Sequence, residues 1–165
     1  MSQTRRPSCV TMTPMNTPHG IRMIDVGAKP VTVRTARASA RLRALPETIR
    51  RIRAQELDKG DAIATARLAG IMAAKRTSDI VPLCHPLPLD SVEVSLSFAE
   101  PERVVIEAVV RATARTGVEM EALTAVTAAA LAIYDMCKSI DRDMSIEAIH
   151  LEEKTGGSRG DYVRS

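Results

Sequence analysis

The sequence predicts an α+β fold, an antiparallel sheet with helices packed on one face. Three observations carry this. Alternating apolar and polar residues at Val31 to Arg43, Val92 to Phe98 and Val104 to Ala112 have the two-residue period of half-buried strands. Two Ala-rich apolar runs, Ala62 to about Arg76 and Thr116 to about Ile140, are long enough for helices. The chain has 165 residues, 45% apolar and 26% charged, which suits one well-cored domain and is too little for two comfortable ones.

Residues 1–21 are rich in Pro, Thr and Met without a period, and are expected to be a disordered leader. Order is expected from Arg22. In the first strand Ala36, Ala38, Ala40 and Leu42 point one way, and Arg37, Ser39, Arg41 and Arg43 the other. Pro46 suits a first helical turn, with Ile49 and Ile52 as the apolar side of a short extra helix. Lys59-Gly60-Asp61 breaks the chain, and Asp61 can cap the helix that follows. Three prolines between Asp79 and Leu89 forbid a helix there and fix a stiff, extended loop. A turn at Glu100-Pro101-Glu102 joins the next two strands as a hairpin. The long helix comes next, then a last strand from Met144 to Glu153, a Gly-rich loop at Thr155 to Gly160 and a flexible end at 162–165. The order is strand, helix with an extra one, strand, strand, helix, strand: the split βαβ, ferredoxin-like arrangement in a single domain over 22–161. That arrangement names no function.

Composition narrows the classes. The longest unbroken apolar run, Ala128 to Tyr134, is far short of a membrane span, and prolines interrupt any secretory h-region. Three cysteines, Cys9, Cys84 and Cys137, share no metal-type spacing and are odd in number, so neither a disulfide framework nor a zinc site is indicated. A cytoplasmic protein is expected. Phe98, Tyr134 and Tyr162 are the only aromatics, which argues against a sheet that stacks nucleic-acid bases. Residues 1–60 carry twelve Lys or Arg against four Asp or Glu, whereas 61–165 carry eleven against sixteen. The basic first third calls for an anionic partner: a phosphorylated small molecule, a nucleic acid or the acidic rest of the fold.

Chemistry can sit in three places. On the long helix, Glu121, Thr124, Thr127, Asp135 and Lys138 share a stripe roughly 120° wide at about 100° per residue. Asp135 and Lys138 are either an ordinary ion pair or an acid/base couple in an apolar wall. Thr116-Gly-Val-Glu119 fits a capping box, so Glu119 is read first as a cap. Cys84-His85-Pro86 holds either a histidine that the prolines set at a defined angle or one satisfied within its own turn, with no further ligand spaced for a metal. Lys59-Gly60, Lys75-Arg76 and Lys154-Thr-Gly-Gly are basic sites beside turns, suited to phosphate.

Several long motifs, in one order, resemble a single family. They are Asp25-Val-Gly-Ala-Lys29, Thr32-Val-Arg34, Lys59-Gly-Asp61, Ala64 to Thr77 and Pro82-Leu-Cys-His-Pro-Leu87. Thr116-Gly-Val-Glu-Met-Glu-Ala-Leu-Thr124, Tyr134-Asp-Met-Cys-Lys138 and Glu153-Lys-Thr-Gly-Gly157 complete the set. The family is MoaC, the cyclic pyranopterin monophosphate synthases of molybdenum cofactor biosynthesis, and the likeness spans residues 22–161. It implies rearrangement of (8S)-3′,8-cyclo-7,8-dihydroguanosine 5′-triphosphate, supplied by an upstream radical enzyme, to cyclic pyranopterin monophosphate with release of pyrophosphate.

The same resemblance implies a homohexamer, a trimer of dimers, with sites at subunit interfaces. It implies that Asp135 and Lys138 are catalytic. Leu83, Cys84, His85, Met120 and Glu121 match substrate-binding segments, and Glu119, Lys59, Arg34, Lys29 and Lys154 match further pocket residues. In the Gly-rich tail Arg159 replaces the family's usual lysine and keeps its charge. No cofactor is expected to be required and no metal ligands are assigned; a divalent cation on the triphosphate is compatible with the chemistry. Neither nucleic acid nor membrane is an expected partner.

Overall fold

Strand β1, Thr32–Arg43, lies in the middle of the sheet, and from Ala36 to Arg43 it alternates apolar with polar side chains. Ala36, Ala38, Ala40 and Leu42 are fully buried beneath the helices. The computed structural model describes residues 20–99, 101–157 and 160–165. Most of the expected leader (1–19), Glu100 of the hairpin turn and Arg159 lie outside the described residues.

After β1 come α1 (Pro46–Arg53), α2 (Ala62–Ala74), α3 (Thr77–Ile80), β2 (Ser91–Ala99), β3 (Arg103–Ala114), α4 (Glu119–Cys137), β4 (Ser145–Thr155) and β5 (Tyr162–Val163). The sheet order is β2-β3-β1-β4-β5 and every adjacent pair is antiparallel. Over its first four strands this is the split βαβ order that the sequence predicts. Register follows the hydrophobic pattern: Ala38 lies opposite Ala108, and Ala108 opposite Val94.

α4 is long and apolar enough, by length and composition alone, to cross a membrane. Its composition has a different cause, since one side lies on β1 and β3 and another on α2. Small residues make these contacts close. A Cβ added at Gly70 of α2 would sit 2.9 Å from the Ala125 carbonyl oxygen of α4 and 3.1 Å from Val94 Cγ2.

Three local features depart from expectation, and a fourth has no local signal in the sequence. The long helix starts at Glu119 and ends at Cys137, because Thr116-Gly117-Val118 is a turn and Ile140 N donates to Cys137 O in a closing turn. A one-turn helix, α3, follows α2, where Thr77 Oγ1 donates to the Ala74 carbonyl at 3.0 Å and carries the chain into a second turn. The expected loose end at 162–165 instead carries β5 on β4, with Arg164 N donating to Glu152 O at 2.8 Å. Finally, α1 takes its N-terminal partner from across the fold: buried Asp141 accepts from Leu45 N at 2.8 Å and from Thr48 Oγ1 at 3.1 Å.

Candidate active site

A cavity of about 460 Å³ opens where the start of β1, the proline loop, the start of α4 and the end of β4 converge. Arg34 forms its floor and is only 8% exposed. Its guanidinium donates to the carbonyls of Ala114 and Arg115, both at 3.4 Å, and among the described residues no carboxylate pairs with it. The Gly156-Gly157 pair at the end of β4 makes room for this charge. Both glycines have positive φ, +89° and +92°, and a Cβ on Gly157 would overlap the Arg34 guanidinium.

Two carboxylates face this cationic floor in different states. Glu119 is half-buried and accepts from Lys154 Nζ at 3.0 Å, a pair that joins the start of α4 to β4. Its carboxylate folds over Gly117, where any Cβ would overlap it. The capping-box expectation for Glu119 is therefore corrected. Val118 is the N-cap with no side-chain cap bond, so Glu119 is the first helical residue and not the third. Glu121 is 4% exposed, and burial pushes its carboxyl above the ordinary range, with the nearby Glu119 charge adding to the effect. Burial, and then Glu121, likewise raise the Cys84 thiol.

The proline loop forms the opposite wall. Cys84 N donates to Val81 O at 3.0 Å, and this turn sets Leu83, Cys84 and His85 on the cavity. Met120 of α4 and Lys29, from the segment before β1, also line it.

A second cluster lies at the far end of α4. Asp135 Oδ1 accepts from Lys138 Nζ at 2.7 Å, one helical turn on. Lys59, from the turn between α1 and α2, donates to Asp135 Oδ2 at 2.8 Å and to its backbone carbonyl at 2.9 Å. Lys138, and then Lys59, lower the Asp135 carboxyl to about 2. The carboxylate in turn raises the Lys138 ammonium.

The structure thus brings Lys29, Arg34, Leu83, Cys84, His85, Glu119, Met120, Glu121 and Lys154 around one cavity. It does not bring Asp135, Lys138 or Lys59 there. Sixteen residues of α4 separate Glu119 from Asp135, roughly 24 Å at 1.5 Å per residue. Sequence reasoning did not single out Arg22, Ile24, Val26 and Arg115, which also line the cavity. A signal for Arg115 exists, a cation directly before the Thr116-Gly117 turn that delivers Glu119.

Comparison with known proteins bears on the same residues. The model of the MoaC family matches residues 23–157. The chain is 57% identical over 144 residues to cyclic pyranopterin monophosphate synthase 1 of Mycobacterium tuberculosis (strain ATCC 25618 / H37Rv), covering 87% of this chain and 85% of that protein. It is 57% identical over 143 residues to the synthase of Roseiflexus sp. (strain RS-1), covering 86% and 90%. Against the synthase of Brevibacillus brevis it is 47% identical over 153 residues, covering 93% and 96%. The matched span runs from the segment before β1 through the second glycine under Arg34, so the Asp135 cluster and all of the cavity lining but Arg22 fall within it, and this chain belongs to the MoaC family.

Proposed function

We propose that the protein is a cyclic pyranopterin monophosphate synthase of molybdenum cofactor biosynthesis. Its substrate is the cyclic guanosine-derived triphosphate that an upstream radical enzyme supplies. The observation that carries this reading is the cavity floor: a buried arginine that no carboxylate among the described residues pairs with, and Lys29 and Lys154 on the same cavity. Forming a cyclic phosphate breaks the bond between the first and second phosphates, and pyrophosphate leaves with the electron pair. Cations that hold the phosphates offset the charge growing on that leaving group. Rearranging the ring moves protons among several heteroatoms, which requires more than one acid or base. Lys138 and Lys59 flank an Asp135 that stays ionised, with Lys138 held as the charged donor, and His85 and Glu119 serve within the cavity. No resident cofactor is required, and a divalent cation travels, if at all, with the triphosphate.

The separation of the two clusters supports a site completed by a second copy. Leu68 and Met72 of α2 and Leu131 of α4 are 62%, 40% and 55% exposed on the helical face, an apolar surface for a two-fold partner. Antiparallel docking of that face would set the Asp135 end of one α4 beside the Glu119 end of the other. Three such dimers form the proposed hexamer, and the reaction is assigned to the cytoplasm, where Cys84 and Cys137 stay free thiols.

Incubation with enzymatically prepared cyclic triphosphate tests the activity, with product and pyrophosphate appearing one for one. Turnover of GTP alone, without the cyclic compound, would contradict it. Light scattering tests the assembly: a mass near six chains is expected, and a monomer at micromolar concentration would overturn the shared site.

A further inference from the structure

Residues 20–31 form one wall of the cavity without regular secondary structure. The segment's own hydrogen bonds are local. Gly27 N donates to Asp25 Oδ1 at 2.7 Å, and Lys29 N to Val26 O at 3.0 Å, which together make the turn before Pro30. Its apolar side chains add little anchorage, since Ile21 is 88%, Ile24 65% and Val31 54% exposed. Such a segment has low local stability unless something ties it down.

Among the described residues, one hydrogen bond joins this segment to the rest of the chain. Arg115 Nη1 donates to the Gly27 carbonyl at 2.7 Å, across 88 residues. Arg115 stands just beyond β3, and its own carbonyl accepts from the buried Arg34 guanidinium at 3.4 Å. One residue therefore touches three parts of the cavity: the segment by its side chain, the floor by its carbonyl and the Glu119 turn by chain connection.

We infer that Arg115 is a positioning residue that holds the Asp25–Lys29 turn through Gly27 O and so keeps the Lys29 ammonium on the cavity wall for an anionic group of the substrate. This rests on the reading of Lys29 as a substrate contact. The guanidinium suits the task, because it stays charged and its planar N–H groups meet a carbonyl with little loss of freedom. A shorter or neutral side chain leaves Gly27 O to water, and Lys29 then samples positions away from the cavity.

The test uses the full chain in four variants: Arg115→Ala, Arg115→Lys, Lys29→Ala and the double Arg115→Ala/Lys29→Ala. Each is measured for KM and kcat with the cyclic triphosphate, for melting temperature and for amide hydrogen exchange over residues 23–31. Arg115→Ala should raise KM about tenfold with kcat within about twofold, as expected when ground-state and transition-state binding fall together. Exchange over 23–31 should quicken while the melting temperature holds, because Arg115 is exposed. Arg115→Lys should fall between, and the double variant should have no higher KM than Lys29→Ala alone. Penalties that multiply in the double variant, or unchanged exchange in Arg115→Ala, would overturn the inference. If Lys29→Ala keeps the parent KM while Arg115→Ala still quickens exchange, the reading of Lys29 as a substrate contact fails, and the positioning role falls with it.

Discussion

Lys59 Nζ holds Asp135 twice, at the carboxylate Oδ2 and at the backbone carbonyl, although 76 residues of chain separate them. With Lys138 on the other carboxylate oxygen, each oxygen of Asp135 has its own lysine. A carboxyl lowered to about 2 stays ionised across the working range, so it aligns the two lysines, favours the charged form of Lys138 and does not itself act as an acid. Lys138→Met, which removes the proton donor, and Asp135→Asn, which removes the charge that aligns it, should each lower turnover at least ~100-fold, with assembly intact. Near-parent rates in either variant would make the cluster an ordinary surface ion pair, which is worth little when exposed.

The Glu119–Lys154 pair makes a separate prediction. Since Glu119 makes no cap bond, Glu119→Gln should keep the melting temperature and lose most of the rate. A fully active Gln variant would return Glu119 to a structural role. Comparing melting curves with single-turnover rates decides between them.

Glu121 sets a pH dependence. Its folded-state carboxyl titrates above the ordinary value of 4.5 because it is buried. A raised acid contributes stability that is full below the unfolded value and is lost as pH rises through the folded one. Glu121→Gln removes that loss. The variant should melt higher than the parent at pH 7–8 and converge with it near pH 4. Melting curves that stay parallel across this range would contradict a carboxyl held high by burial.

Gly70 makes the α2–α4 contact possible, so Gly70→Ala should destabilise despite alanine's better helix propensity. The new methyl meets the Ala125 carbonyl at 2.9 Å, and backbone cannot yield as a side-chain tip can. A loss of about 1–3 kcal/mol in denaturant unfolding is expected, the usual cost of overpacking. A gain in stability would show that the helices separate freely.

Much of this fold was legible because its signals are periodic. β1 reads directly from Ala36, Ala38, Ala40 and Leu42, and Pro46 and Asp61 mark the true starts of α1 and α2. What escaped is non-local. Thr116 and Glu119 have capping-box spacing, but the turn at Gly117 and a lysine from β4 redirect the carboxylate. Asp141 serves a helix that begins some ninety residues earlier, which no local pattern encodes. The helical stripe joining Glu121 to Asp135 is real as geometry, yet its two ends serve different places on one chain. For Arg115 the sequence offers only its place before Thr116-Gly117, because its partner is a backbone carbonyl 88 residues away, which no residue type marks.

The central claim is that one working site takes Asp135 from one copy and the Glu119 cavity from another, and subunit complementation measures it most directly. Asp135→Asn and Glu119→Gln proteins, each inactive alone, are unfolded together, refolded at equal concentration and assayed with the cyclic triphosphate. Random two-fold pairing makes half of the dimers mixed, and each mixed dimer carries one site with both residues intact. The mixture should therefore recover about a quarter of parent activity. If it stays as inactive as its components while exchange of subunits is verified by mass, the site is not shared and the account is contradicted.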